Sequence, residues 1–232
     1  MTAGNQNSAI ERISIQVALS GYSFKLQGRD EKAAFSDWLS ADKVFVTREF
    51  QRRYDEVEIS LFTPKAALFP EAFFNERDAR RLLSDVVRLD DSDSVDYVAV
   101  PSYGAVLVYS NNIGESLSRA ISANVLRTDG YKAPVFPESY YMLKAAEEIS
   151  DYNKILVSYA DGRVYLVVAQ GKTLLLCNSF EAADFTTAEY FIFLVMKKLQ
   201  LNPEISAIYF RTPLSDEMEM SLYRYFSAVE RI

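Results

Sequence analysis

Histidine, the side chain most often used to move protons near neutral pH, is absent from this sequence. Its absence removes His-based acid–base catalysis, Ser-His-Asp triads and imidazole metal ligation together. The single cysteine, Cys177, allows no intrachain disulfide and no cysteine cluster for zinc. Within a strand it reads as a small buried apolar residue. Asp90, Asp91, Asp93 and Asp96 form an acidic run that lacks the turn glycine and terminal glutamate of a calcium loop, so a solvated loop is expected there. Arg48, Arg52 and Arg53, and Arg77, Arg80 and Arg81, are two basic groups expected as exposed charge. No P-loop pattern occurs. Asp161-Gly162 reads as a type I′ turn, which needs positive φ at both central residues.

The whole chain bounds the reading further. Its 232 residues, 49% hydrophobic, can bury a large core. Lys+Arg 25 against Asp+Glu 32 gives a net charge of −7, which disfavours general nucleic-acid binding. The opening MTAGNQNSAI ER is polar and lacks the apolar stretch of a signal peptide. The apolar run Tyr190 to Met196 is too short to span a bilayer. The expectation is a soluble, cytoplasmic protein without stable membrane insertion.

The chain is organised around residues 154–179, which read as three consecutive strands turning at Asp161-Gly162 and Gln170-Gly171, the second loop one residue longer. Val164, Leu166 and Val168 alternate with Tyr165, Val167 and Ala169, so both faces should be covered. Before this meander, alternation predicts strands over 12–19, 23–26, 43–48 and 56–62, and a short helix over 29–39. Residues 62–74 hold two prolines and four phenylalanines, predicting an edge strand or a wrapped loop whose rings pack in the core. Asn75 should cap a helix over 76–89. A hairpin over 95–110 and a helix starting near Asn112 follow. Residues 127–137 read as a loop and a lobe boundary. A helix over 138–149 leads into the meander. After it come a buried helix over 186–199 with Thr186 and Glu189 as a capping box, a strand over 205–211, and an amphipathic helix over 216–232. One more strand would be needed to complete this second half.

Residues Ile13 to Phe24 (ISIQVALSGYSF), together with Thr63 to Pro70 (TPKAALFP), resemble a domain-of-unknown-function family of Bacteroidetes bacteria. The resemblance spans nearly the whole chain. It implies an α/β architecture of mixed sheets: the two-lobed actin-like ATPase, ribonuclease-H-like fold of sugar kinases, actin and heat-shock chaperones. Pilus and secretion assembly proteins are the nearest analogues it implies. Each lobe, 1–136 and 137–232, would be a mixed sheet that starts with an antiparallel meander and is flanked by helices. In active members an Asp-x-Gly-[Thr/Ser] turn handles phosphate and metal. Here that turn is Leu19-Ser20-Gly21-Tyr22, with the glycine kept and a leucine at the carboxylate position. The second-lobe counterpart is Ala160-Asp161-Gly162, with its acid one position off. The adenosine site needs a Gly-Gly pair, and the eight glycines are never adjacent.

The resemblance therefore implies Gly21, Tyr22, Asp161 and Gly162 as the nucleotide-binding residues if that function is kept. No catalytic or metal-ligating residue is assigned. The reading is a non-catalytic actin-like-fold protein with a degenerate nucleotide site and no cofactor, acting through an unidentified protein partner. Tyr22 and Tyr103 sit at turns near a lobe interface. The alternative is an ATP-binding or ATP-hydrolysing protein using magnesium, with Asp161 and Asp184 as its acids. A homo-oligomeric structural subunit is the third reading.

Overall fold

The computed structural model describes residues 10–28, 32–111 and 115–232. β1 (Ile10–Val17) and β2 (Gly21–Gly28) form an antiparallel hairpin. Two short strands, β3 (Ala34–Phe35) and β4 (Leu39–Ser40), pair along the other edge of β2. The described part of the helix expected over 29–39 is therefore extended, because pairing with an open strand edge outweighs the helical spacing of Phe35, Trp38 and Leu39. The strand expected over 43–48 is replaced by 3-10 turns at Ala41–Lys43 and Arg48–Gln51. The Thr47 hydroxyl closes this corner by donating to the Lys43 carbonyl at 2.9 Å. β5 (Arg53–Tyr54) then leads into β6 (Glu56–Leu61), which lies parallel to β1.

A three-stranded unit is inserted next. β7 (Ala66–Pro70), β8 (Val95–Val100) and β9 (Ala105–Ser110) pair antiparallel with β9 in the centre, and α1 (Ala79–Ser84) packs on it. Residues 62–74 thus supply an edge strand. The helix expected over 76–89 is shorter: Asn75 Oδ1 accepts the Arg77 N–H at 3.0 Å over a 3-10 turn, and Val86 lies beyond α1, exposed. The acidic run is not wholly solvated. Asp93 is 7% exposed, and its carboxylate takes the Lys65 ammonium at 2.6 Å and the Ser110 hydroxyl at 2.7 Å. Arg80 closes the loop from outside by donating to the Asp90 and Asp93 carbonyls.

α2 (Glu115–Asn124) follows, and its expected start at Asn112 lies outside the described residues. The stretch expected as a loop carries two strands. β10 (Leu126–Arg127) pairs with β5, and β11 (Val135–Pro137) joins β6 in parallel. The first sheet has the order β11-β6-β1-β2-β3.

α3 (Glu138–Glu148) leads to the meander β12 (Asn153–Ala160), β13 (Arg163–Gln170) and β14 (Thr173–Glu181). Its first turn has the expected positive φ, 50° at Asp161 and 67° at Gly162. The second turn is not longer: Gln170 faces Thr173 across Gly171-Lys172, and the irregularity sits as a bulge beside Val168. α4 (Phe185–Lys198) is capped by Asp184, whose Oδ1 accepts the Thr187 N–H at 2.7 Å, rather than by Thr186. Tyr190 on α4 is exposed, so this helix is not buried all round.

β15 (Ala207–Phe210), α5 (Asp216–Leu222) and β16 (Ala228–Arg231) complete the chain. The helix expected over 216–232 ends at Leu222. Residues 228–231 turn back to cover the edge of β15 in parallel, which buries Val229. The strand expected to be missing is therefore present. The second sheet has the order β14-β13-β12-β15-β16. Both sheets run meander strands first, then two strands parallel to the first of the meander.

The burial pattern follows from this repeat. Ile13, Ile15 and Val17 on the odd face of β1 pack with Ile59, Ile121 and Val125. Ile155, Val157, Val164 and Leu166 pack on α4. The opposite face of the meander, Leu156, Tyr165 and Val167, packs on Met142, Leu143 and Ala146 of α3. Both faces of the meander are covered, as its composition requires. No helix among the described residues is long and apolar enough to cross a membrane.

Two outcomes test this architecture. Deleting residues 228–232 should lower the unfolding free energy by at least about 3 kcal/mol, from lost Val229 burial and lost ladder bonds, measured by urea denaturation. The second concerns pH. Burial opposes the charge of Asp93, yet Lys65, the Asp90 N–H and Ser110 hold its carboxyl down at about 2, against 3.8 unfolded. Its stabilisation is complete above the unfolded value and is lost as pH falls through about 2. Asp93→Asn should flatten the fall in stability over that window, read from denaturation midpoints.

Candidate functional site

The two turns singled out in the sequence come together. The β1–β2 turn is tied by the Ala18 N–H donating to the Gly21 carbonyl at 2.9 Å. Leu19 and Ser20 at its tip turn their backbone N–H groups outward. Those two N–H groups donate to Asp161, Leu19 to Oδ2 at 2.6 Å and Ser20 to Oδ1 at 3.1 Å. Consecutive amides converging on one oxyanion form an anion-binding nest, and here the anion is a side chain from the opposite sheet.

The left-handed conformation of the β12–β13 turn makes this reach available. Asp161 at φ 50° stands in a region that aspartate tolerates, and Gly162 takes the next position. Trp38 closes over the same place, its indole N–H donating to the Ser20 hydroxyl at 3.2 Å. The space left beside the paired turns is about 120 Å³, lined by Leu19, Phe62, Pro64, Ala160, Asp161 and Arg163, among others. Ligand sites are usually about 300–1,000 Å³.

Gly21 and Tyr22 do different work. A Cβ on Gly21 would lie 2.0 Å from the Leu39 carbonyl oxygen, so this glycine permits β4 to pair with β2. Tyr22 is fully buried, its ring tilted against that of Phe50 with centroids 5.1 Å apart, and its hydroxyl lies 2.5 Å from the Thr47 Oγ1. Burial pushes its phenol above the ordinary range. The Tyr22 ring thus lies in the core of the first sheet rather than at the paired turns. Tyr103 packs in the cluster around α3. Asp184, the second acid of the alternative reading, is the cap of α4.

Beneath the turns lies a buried network that the sequence did not single out. Glu138, the first residue of α3, is wholly buried. Its Oε1 accepts from Gln16 Nε2 at 2.9 Å, Ser158 Oγ at 2.7 Å and Arg211 Nε at 2.8 Å. Ser23 donates in turn to Gln16 Oε1 at 3.1 Å. Gln16 belongs to the first sheet, Ser158 to the second, and Arg211 to the end of β15. The only available signal was a glutamine and serines on the polar face of an alternating strand, which reads equally as a solvated face.

Position 19 is a leucine, and the Asp161 carboxylate is held by backbone amides. Among the described residues, no group of three or more acids or cysteines is placed to hold a metal. Burial pushes the Cys177 thiol up to about 12, which suits an inert side chain.

Comparison with curated proteins found none that matches. Similar solved structures include a Bacteroides thetaiotaomicron VPI-5482 protein described as having an actin-like ATPase fold and unknown function. It shares 18% identity over 100% of this chain and 94% of that one, with a TM-score of 0.64. A PilM–PilN type IV pilus biogenesis complex matches at 11% identity over 97% and 88% of the chains, with a TM-score of 0.49. The ethanolamine utilization protein EutJ from Carboxydothermus hydrogenoformans matches at 9% over 94% and 83%, with a TM-score of 0.40. At such identities the first likeness establishes the actin-like fold alone. Residues 5–229 match the family described as Protein of unknown function (DUF3822), and the chain belongs to that family.

Proposed function

We propose that this chain is a non-catalytic actin-like-fold protein that acts through protein–protein contact. Its lobes, 1–136 and 137–232, are locked together where other members of the fold would hold nucleotide. One observation carries the reading: the Asp161 carboxylate takes both amides of the Leu19-Ser20 turn. A phosphate entering there would have to displace an internal anion and meet its charge. Charge-assisted bonds of this kind contribute roughly 1.5–3 kcal/mol when shielded and less where water reaches them, as it does here. The small residual space and the leucine at position 19 support the same reading.

Contact with a partner is supported by what the fold leaves uncovered. Phe45 and Val46 stand exposed on the corner between β4 and β5, and Phe73 is 81% exposed beside the inserted unit. Aromatic side chains are enriched at interfaces.

Calorimetry with ATP, with and without magnesium, tests the locked cleft. No saturable heat is expected at millimolar ATP, and a micromolar dissociation constant would sink the proposal. Asp161→Asn keeps a side chain that tolerates positive φ but removes the charge. It should lower stability by about 1 kcal/mol, seen as a small drop in Tm, without creating ATP hydrolysis. For the partner, affinity capture of the tagged chain from its own cells should return a stoichiometric protein. Light scattering of the chain alone separates that outcome from self-association.

A further inference from the structure

We propose that the cavity between the polar face of β1–β2, α3 and the end of β15 binds a small organic anion through a compact oxyanion group. It encloses about 280 Å³, more than twice the space beside Asp161 and near the lower end of small-molecule sites. None of the residues 18–21 or 160–163 lines it, so it is separate from the paired turns.

The charge of its wall carries the inference. Arg12, Lys25, Lys144 and Arg211 line the cavity, against the carboxylates of Glu58 and Glu148. This cationic excess stands inside a chain whose net charge is −7. Of the two carboxylates, Glu58 is already shared out, and Arg12 also lies 3.6 Å from Glu56. Glu58 takes Arg12 Nη2 at 2.7 Å and the Ser14 hydroxyl at 2.9 Å, and lies 3.5 Å from the Lys144 ammonium. Arg211 is answered by Glu138 from beneath. Lys25 forms no ion pair with any described residue, and its ammonium lies 5.6 Å from the centre of the Phe35 ring. Burial, and then the neighbouring Arg211 and Arg12, pull its pKa below the ordinary lysine value. Among the described residues no carboxylate forms an ion pair with this cation, Glu148 and Glu58 acting on it only from farther off, and an oxyanion among Lys25, Lys144 and Arg12 answers it directly. Ala145, Ile149 and Ile232 form the apolar part of the wall and suit a short carbon body.

The test is calorimetry and thermal shift on the full chain with inorganic phosphate and with succinate, at ionic strength held constant with sodium chloride. At least one anion should bind saturably at millimolar concentration or better. Phosphate alone assigns a phosphate-bearing ligand, succinate alone a carboxylate, and either result supports the site. Lys25→Met and Lys144→Gln should each weaken binding by about tenfold or more, whereas Asp161→Asn should leave it unchanged. Lys144 is exposed on α3, so its variant stays informative if Lys25→Met fails to fold. The proposal is overturned if neither anion saturates the wild type, or if a folded variant of Lys25 or Lys144 binds as tightly as the wild type.

Discussion

A single buried carboxylate holds the two sheets in register. Glu138 is wholly buried, and burying a carboxylate is costly unless donors meet it; here all the donors gather on Oε1, while Oε2 is buried without a hydrogen-bond partner. The donors come from three places: Gln16 on β1, Ser158 on β12 and Arg211 beyond β15. Each donor fixes one element against the first turn of α3. Removing Arg211 breaks a buried ion pair, which typically costs about 3–5 kcal/mol. The relative placement of the sheets is thus set by a polar contact that tolerates little displacement, while the apolar packing around it supplies most of the stability.

That constraint explains the polar side of β1. A strand reading Arg12-Ile13-Ser14-Ile15-Gln16-Val17 suggests one face in the core and one in water. Here the second face is turned toward α3, and Gln16 is 5% exposed. Arg12 and Ser14 converge on Glu58 from the same face. The inserted unit uses a similar device on a smaller scale, with Lys65 and Ser110 gathered on Asp93. In both places a carboxylate organises loops that apolar contacts alone would leave loosely specified.

Much of the fold was legible because it rests on local signals. The meander could be read from Asp161-Gly162 and from apolar residues on both faces. The resemblance carried by residues 13–24 and 63–70 gave the architecture. Errors gathered where tertiary pairing overrides local pattern. Residues 34–40 have helical spacing, yet the open edge of β2 draws them into strands. Residues 228–231 continue the amphipathic period of α5, yet β15 offers them a parallel partner. Thr47, which looked like a strand residue, closes a turn through its own hydroxyl. At the site, Leu19 was visible at the tip of the first turn. Its contact with Asp161 joins residues 142 positions apart, and no local pattern encodes that. Glu138 was hidden for the same reason: nothing in the sequence joins it to Gln16 or Arg211.

The pairing of Asp161 with the Leu19-Ser20 amides also bears on timing. A cleft clasped around a diffusible cofactor opens and shuts with the supply and breakdown of that cofactor, so its shape reports the energetic state of the cell. A clasp made from the chain's own side chain is always present at the same effective concentration. It is neither consumed nor renewed, and it runs no clock. On the proposed non-catalytic reading, any opening is driven by the binding energy of whatever docks, and the molecule behaves as a reversible spring rather than a cycling motor.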